Sequence, residues 1–422
     1  MRILLLSQFY PPETGAAQNR LSYLARWLAS AGHTVTVLTA FPNYPVGRIY
    51  EGYRGRLLME DDDRGVRIIR TWLYATKSKG FLRRVFSYCS FSTLALLAGI
   101  VKVGRQDVVI VESPPLPLGL TGFLISRLKR ARFALNISDL WPESAVALGV
   151  LENRRLIQVA TRLEEFLYRK ADVITGQTKG IVASIRSRCV GKSVTLMPNG
   201  VDTAVFTTET HGSGVGQGIR ESFDLNGHFV VGYAGLFGLA QGLDTVIDSA
   251  KLLAAFPDIL IALIGDGPET ARLKELAQAA GLRNIRFYPA QPAAWMPQVL
   301  GAFDVALVPL KRHALFKGAI PSKLFEAMGA ALPVICSVDG EAREIIEKSR
   351  GGFFVEPENS NSMAQAVLEL YRDPGLRKSL GENGRRYVAD HYSRSKTAKQ
   401  FEDLLLPAGS REQAAQVARA GA

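Results

Sequence analysis

Short apolar runs rich in β-branched residues alternate with longer segments of helical periodicity through most of the chain. Parallel strands need a crossover connection, usually a helix, so this alternation predicts parallel sheets covered by helices. The polar, glycine-rich stretch 207–218 interrupts the pattern, which then restarts. The sequence therefore predicts an α/β fold with two doubly wound, Rossmann-like domains. The predicted strands are 2–7, 34–39, 66–70, 107–111, 133–137, 172–175 and 193–197, then 229–233, 259–264, 285–288, 304–308, 333–336 and 353–355.

The length of the chain agrees with two domains. A single hydrophobic core stops growing well below 422 residues, and a hydrophobic content of 47% is sufficient for two cores. We predict an amino-terminal domain over 1–203, a linker over 204–225, a second domain over 226–385, a helix over 386–406 that returns to the first domain, and a flexible tail over 407–422. Ligands of such sheets bind at the carboxyl ends of the strands, so two facing sheets would place their binding edges across a cleft.

Composition narrows the classes of function. The 3 cysteines have no paired spacing, which argues against disulfides and zinc sites and fits a reducing cytoplasm. The 5 histidines are dispersed, so no metal site is predicted, and neither a P-loop nor a nucleophilic serine elbow is present. The first apolar run, 1–6, reads as a buried strand rather than an export signal. A net charge of +12 favours anionic partners, which include phosphates, nucleic acid and acidic lipids, and charge alone does not choose among them.

One segment is unusually apolar. Residues 85–101 carry no charge and are flanked by Arg83, Arg84, Lys102 and Arg105. A helix that is apolar around most of its circumference is buried in protein or in lipid, and basic flanks favour an anionic leaflet. Two interpretations stay open from the sequence: a helix lying in the plane of a membrane surface, and an ordinary core helix.

The stretch 321–328, PSKLFEAM, carries the strongest local signal for a ligand. Pro321 fixes φ for a helix start, Ser322 can cap that helix, and Lys323 and Glu326 fall on one helical face. An ammonium at the positive helix end suits a diphosphate, and a carboxylate suits a ribose diol; a nucleotide-sugar has both. The alternative is an ordinary capping box with a solvated lysine.

Glycine-rich loops follow two strands of the second half. The loop 235–242 leaves backbone amides free and lets a pyrophosphate approach without a Cβ in the way, although tight packing alone would also require glycine. The turn 265–269 lines the same sheet edge, where Asp266 contacts a ligand or merely caps the next helix. The turn 199–202 reads as a hinge near the domain junction.

In the first half, polar residues follow the strand 133–137 and the first small-residue loop, 15–17. Asp139 comes shortly after that strand, where a charge is costly unless it binds something, so it is a candidate sugar or acceptor contact, with helix capping as the alternative. Four residues around the first loop are further candidates for acceptor contacts, with a solvated loop as the alternative: Glu13, Gln18, Asn19 and Arg20.

Taken together, five segments resemble family 4 glycosyltransferases of the GT-B fold, in particular those that build bacterial O-antigen and colanic-acid-type polysaccharides. The segments are QFYPPETG at 8–15, DLWPES at 139–144, PNGVD at 198–202, GLAQGL at 238–243 and PSKLFE at 321–326, and the resemblance covers nearly the whole chain. It implies a metal-independent, anomer-retaining transfer from a nucleotide-activated sugar, held mainly by the second domain, to an acceptor held by the first. The leaving phosphate would then help to take the acceptor proton.

The resemblance also implies roles for residues. Glu326 would bind the ribose hydroxyls, Lys323 the diphosphate, and the backbone of 235–238 the phosphates. The predicted catalytic residues are Asp139, Lys323 and Glu326, and the predicted nucleotide-binding residues are Gly15, Gly235, Phe237, Gly238, Gln241, Gly265, Asp266, Ser322, Lys323, Leu324 and Glu326.

The chain departs from the family pattern at several positions. Many relatives have glutamate where this chain has Gly318, and arginine and lysine where it has Leu236 and Gln241. Lys323 would then carry more of the diphosphate neutralisation, helped by Lys317 or Arg312. Ser138 stands where relatives often have histidine.

The leading hypothesis is a hexosyl- or N-acetylhexosaminyl-type transferase that uses a nucleotide-sugar, UDP-linked in the first instance, and a polyprenyl-diphosphate-linked saccharide acceptor. It would lie peripherally on the cytoplasmic face of the inner membrane, since an anionic lipid carrier accounts for both the basic charge and the segment 85–101. The alternatives are a nucleotide-sugar 2-epimerase and a catalytically silent, nucleotide-binding membrane scaffold. Nucleic acid is not an expected partner, because no basic stripe with interleaved aromatics is present.

Overall fold

The computed structural model describes residues 1–44, 46–77, 80–147, 149, 151–207 and 216–406. It divides into two compact units. The first consists of Met1–Asn199 together with the chain from Arg394 onward, and the second consists of Gly200–Ser393. Each unit has its own sheet and its own hydrophobic core.

The first unit is built on an eight-stranded sheet with the order β3-β4-β2-β1-β5-β6-β7-β8. All neighbouring strands are parallel except β3 and β4. The strands are β1 Arg2–Leu6, β2 Thr34–Ala40, β3 Leu58–Asp63, β4 Val66–Thr71, β5 Val108–Ser113, β6 Arg132–Ile137, β7 Val173–Gly176 and β8 Val194–Leu196. The helices are α1 Ala16–Ser30, α2 Phe81–Val101, α3 Leu116–Lys129, α4 Glu143–Ala147, α5 Arg154–Lys170, α6 Lys179–Arg188 and α15 Arg394–Leu405.

Helices cover both faces of this sheet because its strands are apolar on both sides. Alternate residues of β1 enter different cores, since successive side chains of a strand point to opposite faces. Ile3 and Leu5 pack with α1 and α15, whereas Leu4 and Leu6 pack on the side of α2, α3, α5 and α6. This layering confirms the predicted doubly wound arrangement.

The strand β3 was not predicted. Its sequence, LMEDDD, is acidic and has no apolar alternation, yet it pairs antiparallel with β4 at the sheet edge. Arg64 and Gly65 both have positive φ, which is the geometry of the two-residue turn that closes a tight hairpin. Arg67 and Arg70 of β4 form ion pairs across the hairpin with Glu60 and Asp61, and Arg26 of α1 forms one with Asp63.

The second unit contains a six-stranded, wholly parallel sheet with the order β11-β10-β9-β12-β13-β14. When the strands are numbered within the unit, this is the 3-2-1-4-5-6 order of dinucleotide-binding sheets. In this sheet the strand order reverses between β9 and β12. The strands are β9 Phe229–Leu236, β10 Ile259–Asp266, β11 Ile285–Tyr288, β12 Val305–Pro309, β13 Val334–Ser337 and β14 Gly352–Phe354. The helices are α7 Gln217–Ser222, α8 Leu243–Leu252, α9 Thr270–Ala279, α10 Met296–Gly301, α11 Ser322–Gly329, α12 Glu341–Ser349, α13 Ser360–Arg372 and α14 Pro374–His391.

The units divide the chain differently from the predicted boundaries. The division falls after Asn199 rather than after residue 203. The described end of the predicted linker, 216–225, contains α7, and Ile219 and Leu225 are buried in the second core, so this part belongs to the second unit. The rest of the polar stretch, 208–215, lies outside the described residues.

The predicted helix over 386–406 is two helices. α14 ends at His391 in the second unit, and α15 begins at Arg394 in the first. Between them, Ser393 forms an isolated parallel bridge with Val201, and the Val201 amide donates to the Tyr392 carbonyl, so the chain is extended where the helix was expected to continue. The predicted tail, 407–422, lies outside the described residues.

Candidate functional site

A cavity in the second unit lies where the winding of the sheet reverses. β9 contributes Gly232 and Ala234 to its wall, and β12 contributes the stretch 306–308. Lys323, Glu326 and Ala327 of α11 also line it, and its remaining lining residues are apolar: Met296, Leu300 and Phe303. In open α/β sheets this reversal point is the usual ligand crevice, because the flanking helices diverge from it to opposite faces. The structure therefore brings the two residues of strongest sequence signal to the expected edge of the sheet.

The start of α11 differs in one respect from the sequence prediction. Pro321 is the residue that precedes the first helical turn, and Ser322 is the first residue of the helix. No side chain caps this end, so Ser322 does not act as the predicted cap. Amide groups of the first turn of a helix have no partners within the helix; here the Leu324 amide donates to the Pro321 carbonyl, and the amides of Ser322 and Lys323 face the end of the helix, where an anion or water can bind. Leu324 points into the core and is fully buried, so its side chain is structural.

The Lys323 ammonium is held over an aromatic ring. Its Nζ lies 3.8 Å from the centroid of the Tyr233 ring and 3.4 Å from Oε1 of Gln241. The residue as a whole is partly exposed, but its charged end lies among these groups and loses hydration there. This desolvation lowers the pKa of Lys323 to about 7, and the neighbouring Glu326 carboxylate opposes the shift. Without a bound anion, the side chain of Lys323 is therefore about half protonated at pH 7.

Gln241 links Lys323 to the glycine loop. Its Oε1 also lies 3.1 Å from the Tyr233 hydroxyl, whose single proton has the Leu236 carbonyl, at 2.7 Å, as its nearer acceptor. A Cβ on Gly235 would lie 3.0 Å from the Lys323 Nζ, so a side chain there would crowd the ammonium. Gly242 has the left-handed conformation (φ 62°) at the start of α8, which favours glycine. Gly238, with extended backbone, lies between them.

Three predicted nucleotide-binding residues have mainly structural contacts. Phe237 is fully buried and packs edge-on against Phe287, and its backbone amide donates to the Asp266 carbonyl while its own carbonyl accepts from the Glu269 amide. A Cβ on Gly265 would overlap the Gly235 carbonyl, so glycine here permits the close approach of β9 and β10. The Asp266 carboxylate accepts bonds from the Gly267 amide and the Thr270 hydroxyl, but the residue before α9 is Glu269 and no side chain caps that helix, so the predicted capping by Asp266 is wrong.

Two further cations expected to help Lys323 are engaged elsewhere. Lys317 forms an ion pair with Asp339 at 3.4 Å, and Arg312 lies 3.5 Å from Glu356 and donates to the Pro357 carbonyl. Gly318, where the resemblance leads us to expect glutamate, has open space around its Cβ position. Steric exclusion therefore does not explain the missing carboxylate at this position.

A buried polar network occupies the carboxyl edge of the first sheet. Glu112, at the end of β5, is 4% exposed and accepts from the Arg20 guanidinium at 2.5 Å, the Asn136 amide at 2.5 Å and the Ser138 hydroxyl. Ser138 also accepts from the Gln177 amide at 2.7 Å. An ion pair this deeply buried is stable only when its other hydrogen bonds are made, as they are here. The network fixes the ends of three adjacent strands.

The remaining first-unit candidates lie around this edge. Asp139 is exposed and accepts from the Ser144 hydroxyl and the Leu140 amide, which lower the pKa of its carboxyl, while the protein atoms packed around it raise that pKa more strongly. Gly15 precedes α1 in extended conformation, and a Cβ there would contact the Gln18 side chain. Glu13 is buried, and its Oε1 accepts from the amides of Asn43 and Tyr44 at 2.6 and 2.7 Å.

Sequence reasoning missed Tyr233 and Glu112. Tyr233 ended a predicted strand and gave no signal beyond its aromatic character, because its contact with Lys323 depends on the packing of α11 against β9. Glu112 did give a signal: it is a carboxylate that directly follows a run of four apolar β-branched residues, whereas Asp139 is separated from its strand by Ser138. Within the described residues, no cluster of three or more histidine, cysteine or acidic side chains could hold a metal ion.

Comparison with known proteins defines the class. A family model described as "Glycosyl transferases group 1" matches residues 218–387, and one described as "Glycosyl transferase 4-like domain" matches residues 15–200. Both match in the order expected for a sugar transferase made of two Rossmann-like domains. The chain belongs to the family 4 glycosyltransferases, and its fold is GT-B.

Individual relatives extend this comparison. The chain is 27% identical to "Putative colanic acid biosynthesis glycosyl transferase WcaI" of Escherichia coli K12, over 87% of this chain and 92% of the relative. It is 24% identical to a "GDP-mannose-dependent alpha-(1-6)-phosphatidylinositol monomannoside mannosyltransferase" of Mycolicibacterium smegmatis, over 74% of this chain and 87% of the relative. Among solved structures, Anabaena HepE in complex with UDP and glucose superposes with a TM-score of 0.70 at 17% identity, covering 96% of this chain and 98% of HepE.

Proposed function

We propose that this glycosyltransferase moves a hexosyl or N-acetylhexosaminyl group from a nucleotide-sugar to a lipid-linked saccharide, with retention of the anomeric configuration, in the synthesis of a cell-surface polysaccharide. The observation that carries the proposal is the position of Lys323 and Glu326 on one face of α11, with the Lys323 ammonium beside the glycine loop that follows β9. One offers a charge to a diphosphate and the other accepts hydrogen bonds from a diol. Nucleoside diphosphates and the sugars linked to them present both groups.

The chemistry proposed for the site is mainly positioning and charge stabilisation. As the sugar leaves, negative charge grows on the diphosphate, and donors fixed in advance stabilise it without reorganisation. A diphosphate beside Lys323 would restore the lysine pKa toward its usual value, so the ammonium would become fully charged when the donor binds. Glu326 would hold the ribose, and the backbone of Gly235–Gly238 would approach the phosphates, apart from the Phe237 amide, which donates to the Asp266 carbonyl.

Support for the donor comes from both kinds of comparison. Structural neighbours hold UDP or UDP-glucose, whereas one relative is named for its use of GDP-mannose. We propose UDP as the first donor base to test, together with GDP and ADP, by thermal stabilisation. A ligand present at 100 times its dissociation constant adds about 2.7 kcal/mol to stability, which is easily measured.

Support for the acceptor comes from named relatives and from charge. WcaI is named for colanic acid synthesis, and the mycobacterial relative for transfer to a phosphatidylinositol glycolipid. We propose that the acceptor is a polyprenyl-diphosphate-linked saccharide, which the protein binds on the cytoplasmic face of the inner membrane. The proposed transfer needs no metal cofactor. The net charge of +12 suits an anionic lipid carrier.

The test of this function is a matched pair of substitutions in the second unit. Glu326→Gln removes the carboxylate, and Glu275→Gln removes the same charge from an exposed position on α9. Because two charge-assisted hydrogen bonds are lost, kcat/KM for donor turnover should fall by about 100-fold in the first variant. The second should behave as wild type.

Two results would contradict the proposal. Unchanged turnover in Glu326→Gln would mean that the donor does not use this carboxylate. Conversion of the donor into an epimer in the absence of acceptor would identify a nucleotide-sugar 2-epimerase instead.

A further inference from the structure

One outward face of α2 is an apolar stripe, beside which Arg83 and Arg84 of the first turn are also exposed. Seven residues with the spacing of one helical face are exposed: Leu82, Phe86, Cys89, Thr93, Leu97, Ile100 and Val101. The exposed fractions of Leu82 and Val101 are 77% and 76%, and those of Phe86 and Leu97 are 58% and 55%. A soluble helix normally turns its polar face outward, so this arrangement is the reverse of the expected one.

The helix α3 extends the stripe sideways. Leu120, Leu124 and Leu128 repeat at helical spacing and are all exposed, Leu128 by 61%. The two helices are joined where the Thr121 hydroxyl donates to the Ser92 carbonyl and the Lys129 ammonium to the Ile100 carbonyl. The outward stripes of α2 and α3 thus form one apolar surface, here called the α2–α3 face. Contiguous apolar patches of this kind mark interaction sites.

The inner side of α2 fixes how this face can meet a membrane. Phe91, Ala95 and Ala98 are buried in the core of the first unit, where they pack with residues of the sheet. Leu82–Val101 is long and apolar enough to cross a bilayer, but removing it from the sheet would expose that core. A helix held in this way can lie in the plane of a leaflet and cannot span it.

Basic residues surround the α2–α3 face. The segments 81–105 and 116–130, together with α5, carry twelve basic residues against two acidic ones. One of the two, Glu164, is buried against Arg188 and Tyr168, and the other, Glu165, lies 3.6 Å from Arg169 on its own helix. Most of the net charge of +12 is therefore concentrated around one apolar surface. Each basic side chain near an anionic membrane surface adds to the attraction.

We infer that the α2–α3 face inserts into the headgroup layer of a bilayer rich in anionic phospholipid, with α5 as its basic border. A second copy of the chain is the poorer occupant, because pairing two such faces would bring two rings of positive charge together. α2 follows β4, so its first turn lies near the carboxyl edge of the sheet, where Glu112 and Asp139 also lie. A lipid-linked acceptor in the same leaflet would thus reach this edge without leaving the membrane.

The inference deepens the membrane part of the proposed function and does not depend on the donor site, so the two can fail separately. Cys89 offers a direct probe, since it is exposed in the middle of the stripe while Cys189 and Cys336 are buried. The full-length protein would be labelled at Cys89 with an environment-sensitive fluorophore and mixed with vesicles of phosphatidylcholine alone or with phosphatidylglycerol. In the control protein, Cys89→Ser removes the exposed cysteine of the stripe and Leu252→Cys introduces an exposed one in the second unit, where the same fluorophore is attached.

Insertion predicts a blue shift and a rise in emission at Cys89 with phosphatidylglycerol vesicles, and no shift at position 252. Removing two apolar anchors with the double variant Leu97→Gln and Leu128→Gln should weaken vesicle binding in co-sedimentation by at least about tenfold. The control Leu252→Gln should bind as wild type. Arg155→Gln with Arg162→Gln should weaken binding to anionic vesicles and reduce its salt dependence.

Three outcomes would overturn the inference. One is wild-type protein that stays in the supernatant with anionic vesicles. The second is equal vesicle binding by wild type and the Leu97 and Leu128 double variant. The third is a dimer in solution that this double variant dissociates, which would identify a second copy as the partner. Unchanged melting temperature and unchanged UDP binding in each variant would show that the fold and the donor site are intact.

Discussion

The lowered pKa of Lys323 predicts that nucleotide affinity falls as the pH rises above neutrality. The free protein has a lysine pKa of about 7, because the ammonium is desolvated over the Tyr233 ring. At pH 7 about half of the molecules carry the charge, and at pH 8.5 only about 3% do. A bound diphosphate beside the ammonium raises its pKa again, so binding must take up the missing proton.

The magnitude follows from this difference in protonation. If the bound lysine stays charged up to pH 8.5, the affinity for UDP should drop about fifteenfold between pH 7 and pH 8.5, or about 1.6 kcal/mol. The phosphates of UDP do not produce this trend, since a phosphate monoester has its second pKa near about 6 and is largely ionised over this range. Proton uptake should rise from about 0.5 to about 1 per UDP bound.

Isothermal titration calorimetry measures both quantities when it is repeated in buffers of different ionisation enthalpy. Lys323→Met keeps the side chain length without the charge and should bind UDP weakly, with an affinity that does not change over this pH range. The matched control is Lys274→Met, at an exposed position on α9. An identical pH dependence in wild type and Lys323→Met would refute the reasoning, because the titrating group would then lie elsewhere.

The same shift makes a prediction about the ligand-free protein. The lysine is charged in the unfolded chain up to its ordinary pKa of 10.5 but loses its proton near pH 7 when folded. The unfolded state therefore binds more protons between these values, and stability should rise with pH through this window. Lys323→Met removes this contribution. Wild type should therefore gain stability relative to the variant as the pH rises from about 7 to 10.5, and the difference between them should be constant below about pH 6.

Three further predictions concern stability. Arg20→Met leaves the Glu112 carboxylate buried without its cation. The unfolding free energy of the first unit, measured by urea denaturation, should therefore fall by about 3 to 5 kcal/mol. A loss below about 1 kcal/mol would show that the ion pair is solvated. Gly232→Ala would place a methyl group against the Phe303 ring and should cost about 1 to 3 kcal/mol in the second unit, whereas Gly218→Ala, where nothing lies near, should be tolerated. Burial raises the pKa of Glu13 to about 6 from an ordinary 4.5, so the folded state binds more protons than the unfolded state between these pH values. As the pH rises from 4 to 7, wild type should therefore lose about 2 kcal/mol of stability relative to Glu13→Gln. Parallel pH profiles of the urea midpoint in the two proteins would contradict this.

Much of the fold was predictable because its signals are local. Each predicted parallel strand is present, since an apolar run between helical segments has few other ways to bury both faces. The edge strand β3 was not predictable from its acidic sequence, because its arginine partners come from α1 and β4. The break between α14 and α15 was missed for a similar reason: the extended backbone there bonds to Val201, far away in sequence.

The candidate site divides in the same way. The motif at 321–326 placed a lysine and a glutamate one helical turn apart, and the glycine loop at 235–242 followed a strand, so both could be found by reading along the chain. The expectation that Ser322 caps the helix was wrong because the cap position falls on Pro321. The roles of Asp139 and of the nucleotide-binding residues stay predictions.

The sequence by itself determined the parallel sheets, the order of their elements and the loops at the strand ends, because periodicity and turn chemistry act between neighbours in the chain. Only the tertiary structure decided that Tyr233 lies under the Lys323 ammonium and that the apolar residues of α2 face outward beside those of α3. Both depend on how helices pack onto sheets, and packing brings together groups that the sequence lists far apart. Proximity of this kind sets a local dielectric and an exposed surface, neither of which can be read from a single segment.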